Sequence, residues 1–234
     1  MRFIELDIAR GVAIVGMIFY HIIWDLSYLG IMEYNFQHIN TLIPALFLFI
    51  VGICLSISYE NNKSKTKILS RGGFLIGVGI FLSAISLLII PDRPIYFGIL
   101  HCIGTCIILS LIFYRLKYIN LLVGAGVFLA SFVVPLITPS PTIPQLILGF
   151  HPSNPWLYTI DYFPLIPWIG VVMMGFGIGS LAYKNGQRQF HFPHLTSLPT
   201  KLTAFIGRHS LKIYLIHQPI IYCTLKYIYF GTPF

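Results

Sequence analysis

DIARGVAIVGMIFYHIIWD, residues 7–25, is apolar enough to enter a bilayer and yet carries Asp7, Arg10, His21 and Asp25. Each such group costs about 2.5 to 3.5 kcal/mol at the centre of a membrane helix on insertion scales. A segment that keeps four of them has a use for them. At 100° per residue, Asp7, Arg10, Ile14, His21 and Asp25 fall within a sector of roughly 60°, so the polar groups form one stripe. Arg10 and His21, eleven residues apart, are separated by about 16 Å along the helix axis.

The rest of the chain sets this segment in a membrane. Of its 234 residues, 56% are hydrophobic and only 9% charged, with mean hydropathy +0.82, whereas a soluble domain is about 25% charged. The composition predicts an all-α, multi-pass integral membrane protein of the cell membrane. Seven apolar blocks lie near the length that crosses a bilayer as helix, at approximately 4–29, 39–59, 72–90, 95–114, 120–137, 163–183 and 202–229. The first block lacks the short apolar core and cleavage site of a secretory signal and is read as a retained span. No internal repeat is visible, so residues 1–234 are read as a single transmembrane domain.

Lys and Arg distribute unevenly between the connections. Arg2 precedes the first block, Lys63, Lys65, Lys67 and Arg71 lie between the second and third, Arg115 and Lys117 follow the fourth, and Lys184, Arg188 and Lys201 follow the sixth. The connection between the first two blocks has none, Arg93 stands alone after the third, and 138–162 has neither Lys nor Arg. By the positive-inside rule the N-terminus is cytoplasmic and the C-terminus is outside. The same rule accounts for the net charge of +8, which removes the argument for a nucleic-acid partner and leaves lipid as the default surroundings.

Three further features qualify this outline. Gly73/Gly77 and Gly175/Gly179 have small-xxx-small spacing, suited to close helix packing. The connection 138–162 carries Pro139, Pro141, Pro144, Pro152 and Pro155 and cannot be one helix. It is a structured or re-entrant outer loop, whose Trp156, Tyr158 and Tyr162 serve either as an interfacial belt or as a cover over an outward-facing site. The four cysteines, Cys54, Cys102, Cys106 and Cys223, fall inside apolar blocks, where a small buried hydrophobe is their default role.

His21 and Asp25 are i, i+4 neighbours, a spacing that lets the carboxylate accept from one imidazole nitrogen and leave the other as a base. His101 and His217 lie at a comparable depth in the fourth and seventh blocks. No paired spacing such as CxxC or HExxH accompanies them, and no metal is expected. Arg10, Arg71 and Arg208 sit within about two turns of the inner ends of their blocks, and a guanidinium fork suits phosphate. The bland alternative for these arginines is anchoring to lipid head groups. Two chemistries use such a stripe: deprotonation of a hydroxyl or ammonium acceptor by the His/Asp pair, and proton relay in a proton-coupled transporter.

Three segments carry a family resemblance. LDIARGVAIVGMIFYH (6–21) resembles the opening of the transmembrane acyltransferase superfamily, including its Arg-x10-His pattern, here Arg10 and His21. IYFGILHCIG (95–104) and IGRHSLKIYLIHQPIIY (206–222) resemble the middle and C-terminal segments of one branch. That branch contains the catalytic domain of heparan-alpha-glucosaminide N-acetyltransferase and its prokaryotic relatives. The resemblance implies a multi-pass enzyme that takes an acyl group, usually acetyl, from cytoplasmic acyl-coenzyme A and delivers it to an acceptor, often a sugar or glycan, on the far side. It implies His21 as the catalytic histidine and Arg10 as part of the donor end. His101 and His217 fall in matching segments with no step assigned.

Overall fold

The computed structural model describes residues 3–33, 39–61, 64–134, 136–193 and 197–231. Arg2 and Lys63, which contribute to the charge pattern above, lie outside them. The described residues are 76% helical, and the described strands are two-residue pieces of one hairpin. The expectation of an all-α membrane protein therefore holds. Among the described residues, five helical stretches are long and apolar enough to cross a bilayer: Ile4–Tyr28, Thr41–Glu60, Lys65–Ile89, Ile99–Val133 and Leu165–Ala182.

The expected count of seven is not confirmed, for two local reasons. The fourth and fifth blocks join in the run Ile99–Val133, which contains α4 (Ile99–Phe113), a 3-10 turn (Tyr114–Ile119) and α5 (Asn120–Val133). Lys117, at φ 46°, breaks the helical path there. The fully buried Asn120 closes the turn by donating to the carbonyls of Phe113 (3.0 Å) and Lys117 (2.9 Å). The seventh block divides at His209 into α8 (Leu198–Arg208) and α9 (Ser210–Phe230). α8 is too short to span, and α9 carries Lys212, His217, Gln218 and Lys226.

The described contacts divide into two compact units, Met1–Phe47 with His191–Phe234, and Leu48–Phe190. In the first, α1 (Ile4–Tyr28) packs against both α8 and α9. Of its buried residues, Asp7, Ile14 and Asp25 lie on the polar stripe and Leu6, Gly11 and Ala13 flank it, while Val12 and Phe19 on the opposite side are exposed. The stripe thus faces protein, and the apolar face is free to meet lipid. α8 and α1 approach backbone to backbone: a Cβ on Gly207 would collide with the carbonyl of Asp7, and one on Gly11 with that of Thr203.

The second unit takes up α2 (Ile39–Glu60) from Leu48 onward, with α3 (Lys65–Ile89), α4, α5, α6 (Ile143–Leu148) and α7 (Leu165–Ala182). α3 packs on α4, and α7 on α5 and α4. Gly175 and Gly179 do meet another helix closely, against Phe49 and against Ile53 and Ser56 of α2. Gly73 and Gly77 do not: a Cβ at either would meet nothing within 4 Å. The α3 seam is instead Ile68, Gly72, Leu75, Gly79 and Ser86, a heptad-like spacing that selects Gly72 and Gly79.

The proline-rich connection is a structured loop, as expected. It holds α6 and a 3-10 turn at Pro155–Leu157. Bridges from Phe97 to Tyr162 and from Ile137 to His151 secure it. After α7, β1 (Tyr183–Lys184) and β2 (Gln187–Arg188) form a hairpin over Asn185-Gly186, whose φ values of 51° and 70° suit a two-residue Asn-Gly turn. The Asn185 amide donates to Glu60 at the end of α2, 3.1 Å away.

The contrast between glycines is testable. Gly207→Ala should destabilise the protein by about 1 to 3 kcal/mol, the usual cost of overpacking a tight contact. Gly73→Ala, in open space, should leave the melting temperature unchanged or raise it. Thermal unfolding of both variants in detergent checks the order.

Candidate functional site

Near the C-terminal end of α1, the spacing of four residues that separates His21 from Asp25 meets two adjacent residues of α9. The imidazoles of His21 and His217 lie edge to face, with centroids 4.8 Å apart and planes at 62°. Gln218 donates from Nε2 to Oδ1 of Asp25 at 2.8 Å. Asp25 is wholly buried, and His217 nearly so. The expected hydrogen bond within the His21–Asp25 pair is not formed, because Gln218 holds the carboxylate from α9 and His21 leans on His217. Gln218 was not a candidate from sequence, where one glutamine beside a proline carries no pattern.

His217 is fixed by its own helix. Its Nδ1 lies 2.6 Å from the carbonyl oxygen of Tyr214, and a carbonyl can only accept, so Nδ1 carries the hydrogen. Nε2 then presents a lone pair. Pro219 follows two residues later and lacks the N–H that the Leu215 carbonyl would otherwise receive, a local break in the ladder tolerated where side chains take over backbone groups. Around this cluster, His21 Nδ1, Asp25 Oδ2, His217 Nε2 and Gln218 Oε1 are buried with no hydrogen-bond partner. Buried polar atoms are nearly always paired in native proteins, so four together mark a place built for something else. Trp24 and Tyr28 stack beside them, centroids 5.2 Å apart.

The other end of the stripe is basic. Arg10 Nη1 is 3.3 Å from Oδ1 of Asp7, one turn away on the same helix. The close α1–α8 approach at Asp7 and Gly207 puts Arg208, one residue on, near the same end of α1, where it is exposed and lies over the Phe205 ring at 6.0 Å. Arg10 and Arg208 therefore belong to one end of one unit.

Arg71 and His101 belong to the second unit. Arg71 lines a shallow exposed groove on α3 with Thr66, Lys67, Ser70 and Phe74. His101 is buried at the start of α4, where its Nδ1 accepts from the Gly98 amide at 3.3 Å. Its ring thus caps the helix, and a Cβ on Gly79 would press into it. The same helix end is held by the loop before α7: the Ile99 amide donates to Oδ2 of Asp161 at 3.2 Å, and the Phe163 amide to the Phe97 carbonyl at 2.9 Å. Burial pushes the Asp161 carboxyl up to about 6, against the opposing pull of the Ile99 hydrogen bond. Tyr162 beside it donates to the Leu146 carbonyl at 2.7 Å, and burial raises its phenol to about 12.

A family model, heparan-alpha-glucosaminide N-acetyltransferase, catalytic, matches residues 2–219. The match spans nearly the whole chain and takes in both ends of the α1 stripe and the His217–Gln218 pair. The chain belongs to this family of transmembrane acetyltransferases. No curated protein and no solved structure matches it.

Asp161 yields a test of how the α4 terminus is held. Its folded-state value of about 6 lies above the ordinary 3.8, so the folded protein binds this proton more tightly than the unfolded chain does. Its contribution is full below about pH 4 and is lost as pH rises through about 6. Melting temperatures in detergent should fall over that window in the wild type. Asp161→Asn, which cannot titrate, should lack that component of the slope.

Proposed function

We propose that the protein is an acetyl-CoA-dependent acyltransferase, taking an acetyl group from the cytoplasmic side of the membrane to a sugar or glycan acceptor on the other side. The observation that carries this reading is the two-ended α1 stripe. One end bears arginine, and the other, about 16 Å further along the helix, bears two histidines in contact beside a buried carboxylate. An anionic donor with a long slender arm suits that separation. Family membership supports acetyl transfer and, more generally, an acetyl-CoA donor.

On this reading Arg10 and Arg208 hold donor phosphate charge through guanidinium forks. Acetyl-CoA supplies the activated acetyl group. His21 acts as general base: it takes the proton from the acceptor N–H or O–H as that atom's lone pair attacks the thioester carbonyl. The carbon–sulfur bond breaks, and the proton passes from the imidazolium to the departing thiolate. Asp25 supports the charged imidazole through space, held off it by Gln218. His217, its Nδ1–H committed to Tyr214, fixes the edge against which His21 rests. His101 acts indirectly, by holding the start of α4. The Lys and Arg pattern supports a cytoplasmic N-terminus, which places the arginine end on the donor side.

Two experiments test this proposal. Purified protein given acetyl-CoA and candidate glycans should release free coenzyme A and acetylated product, followed by mass spectrometry. His21→Ala should lower the rate by about a hundredfold to ten-thousandfold, the range for a lost general base, with donor affinity nearly kept. Arg10→Ala should weaken donor affinity, and Arg10→Lys should weaken it less. Transfer by His21→Ala at the wild-type rate contradicts the mechanism, and pH-driven solute uptake without coenzyme A turnover favours a transporter. Separately, single cysteines at positions 64 and 153 of a cysteine-free protein should be labelled from the cytoplasmic side and the outer side respectively. The reverse pattern contradicts the direction of transfer.

A further inference from the structure

The four unpartnered atoms of the His21 cluster share one property. Asp25 Oδ2 and Gln218 Oε1 are acceptors by nature, and His217 Nε2 is an acceptor because its Nδ1 is committed to the Tyr214 carbonyl. His21 Nδ1 joins them in the tautomer a general base requires. Gln218 is the residue that makes this set uniform. Its amide owns the cluster's only side-chain N–H2 group, and it spends that group on Asp25 Oδ1. The consequence is a carboxylate anchored by one oxygen, with its other oxygen and the amide oxygen left without donors.

We propose that Gln218 is a positioning residue for the acyl acceptor, holding Asp25 from α9 so that Asp25 Oδ2, Gln218 Oε1 and His217 Nε2 together receive the hydrogens of a donor-rich amine or hydroxyl group. This deepens the acyltransferase reading and rests on it for the word acceptor, but the binding chemistry stands on the cluster itself. Carboxylate and phosphate anions bring further negative charge beside the Asp25 carboxylate as well as further acceptors, and are disfavoured at this end. The arginine end of the stripe has the opposite preference, so donor and acceptor are sorted by hydrogen-bond polarity. A neutral polyol and an aminated sugar differ in one group, and comparing them distinguishes hydroxyl from amine as the source of the hydrogens.

The test uses the whole protein in detergent, with glucose and glucosamine as probes and Trp24 as the fluorescent reporter, being adjacent to Asp25 in sequence and stacked on Tyr28. Wild type should bind at least one of the two sugars. Gln218→Met, nearly the same size but without polar hydrogens, should weaken sugar affinity at least about tenfold, as for loss of a hydrogen bond to a charged group. Its acetyl-CoA affinity should stay within about twofold, a split that general loss of packing would not produce. Gln218→Asn alone should also weaken sugar binding, being one carbon short. Asp25→Glu combined with Gln218→Asn restores the length across the pair and should recover part of it, which keeps the test available if Gln218→Met does not fold. Wild-type sugar affinity in folded Gln218→Met, no recovery in the length-swapped pair, or no binding of either sugar by wild type each overturns the proposal. Acetyl-CoA binding by wild type is scored separately: its absence strikes the enzyme reading, and the sugar measurements still decide the role of Gln218.

Discussion

A carboxylate wholly buried within a membrane helix must be held by something, and here one hydrogen bond does it: Gln218 of α9 to Asp25 of α1, at 2.8 Å. Much of the first unit is arranged to make that bond available. α9 has to lie against α1 for Gln218 to reach, and its neighbour His217 then comes to rest on His21. α8 fixes the other end of α1 by backbone contact, which requires glycine at Gly11 and Gly207. The polar stripe is tolerable in a membrane because it faces these two helices rather than lipid.

The chemistry assigned to the stripe follows from how unequally its groups are satisfied. Asp7 and Arg10 form an ion pair near the start of α1. The far end keeps four buried atoms without partners. A purely structural cluster would have paired them, because each unmet acceptor costs about 1 to 3 kcal/mol. Retaining that cost is reasonable where a substrate supplies the missing hydrogens and leaves again. The second unit shows the contrast: His101 is as buried as His217, yet its Nδ1 is used to cap α4, and Asp161 helps hold the same helix end.

Much of this could be read from the chain, and the failures have identifiable causes. The hydrophobic blocks predicted the helical membrane class because apolar length is a strong signal. The count of seven spans is not confirmed where that signal is blind to local geometry, at the Lys117 turn and at His209. The stripe on α1 was legible because it lies within one helix, where periodicity fixes which residues share a face. Its partners were less so. His217 could be placed at the right depth but not against His21, and Gln218 gave no pattern at all, since contact between distant segments has no period. The His21–Asp25 hydrogen bond was a local expectation overridden by a tertiary one. Gly73 and Gly77 failed similarly: the motif was present, but the face that α3 buries is set by its neighbours.

Transfer across the membrane is the central claim, and compartments test it most directly. The protein would be reconstituted into sealed vesicles holding an impermeant glycan acceptor inside, with isotopically labelled acetyl-CoA added only outside. The account predicts labelled acetyl on the trapped glycan, in step with free coenzyme A appearing outside, and neither product with His21→Ala. Label that reaches the glycan only when donor and acceptor share a compartment would contradict it.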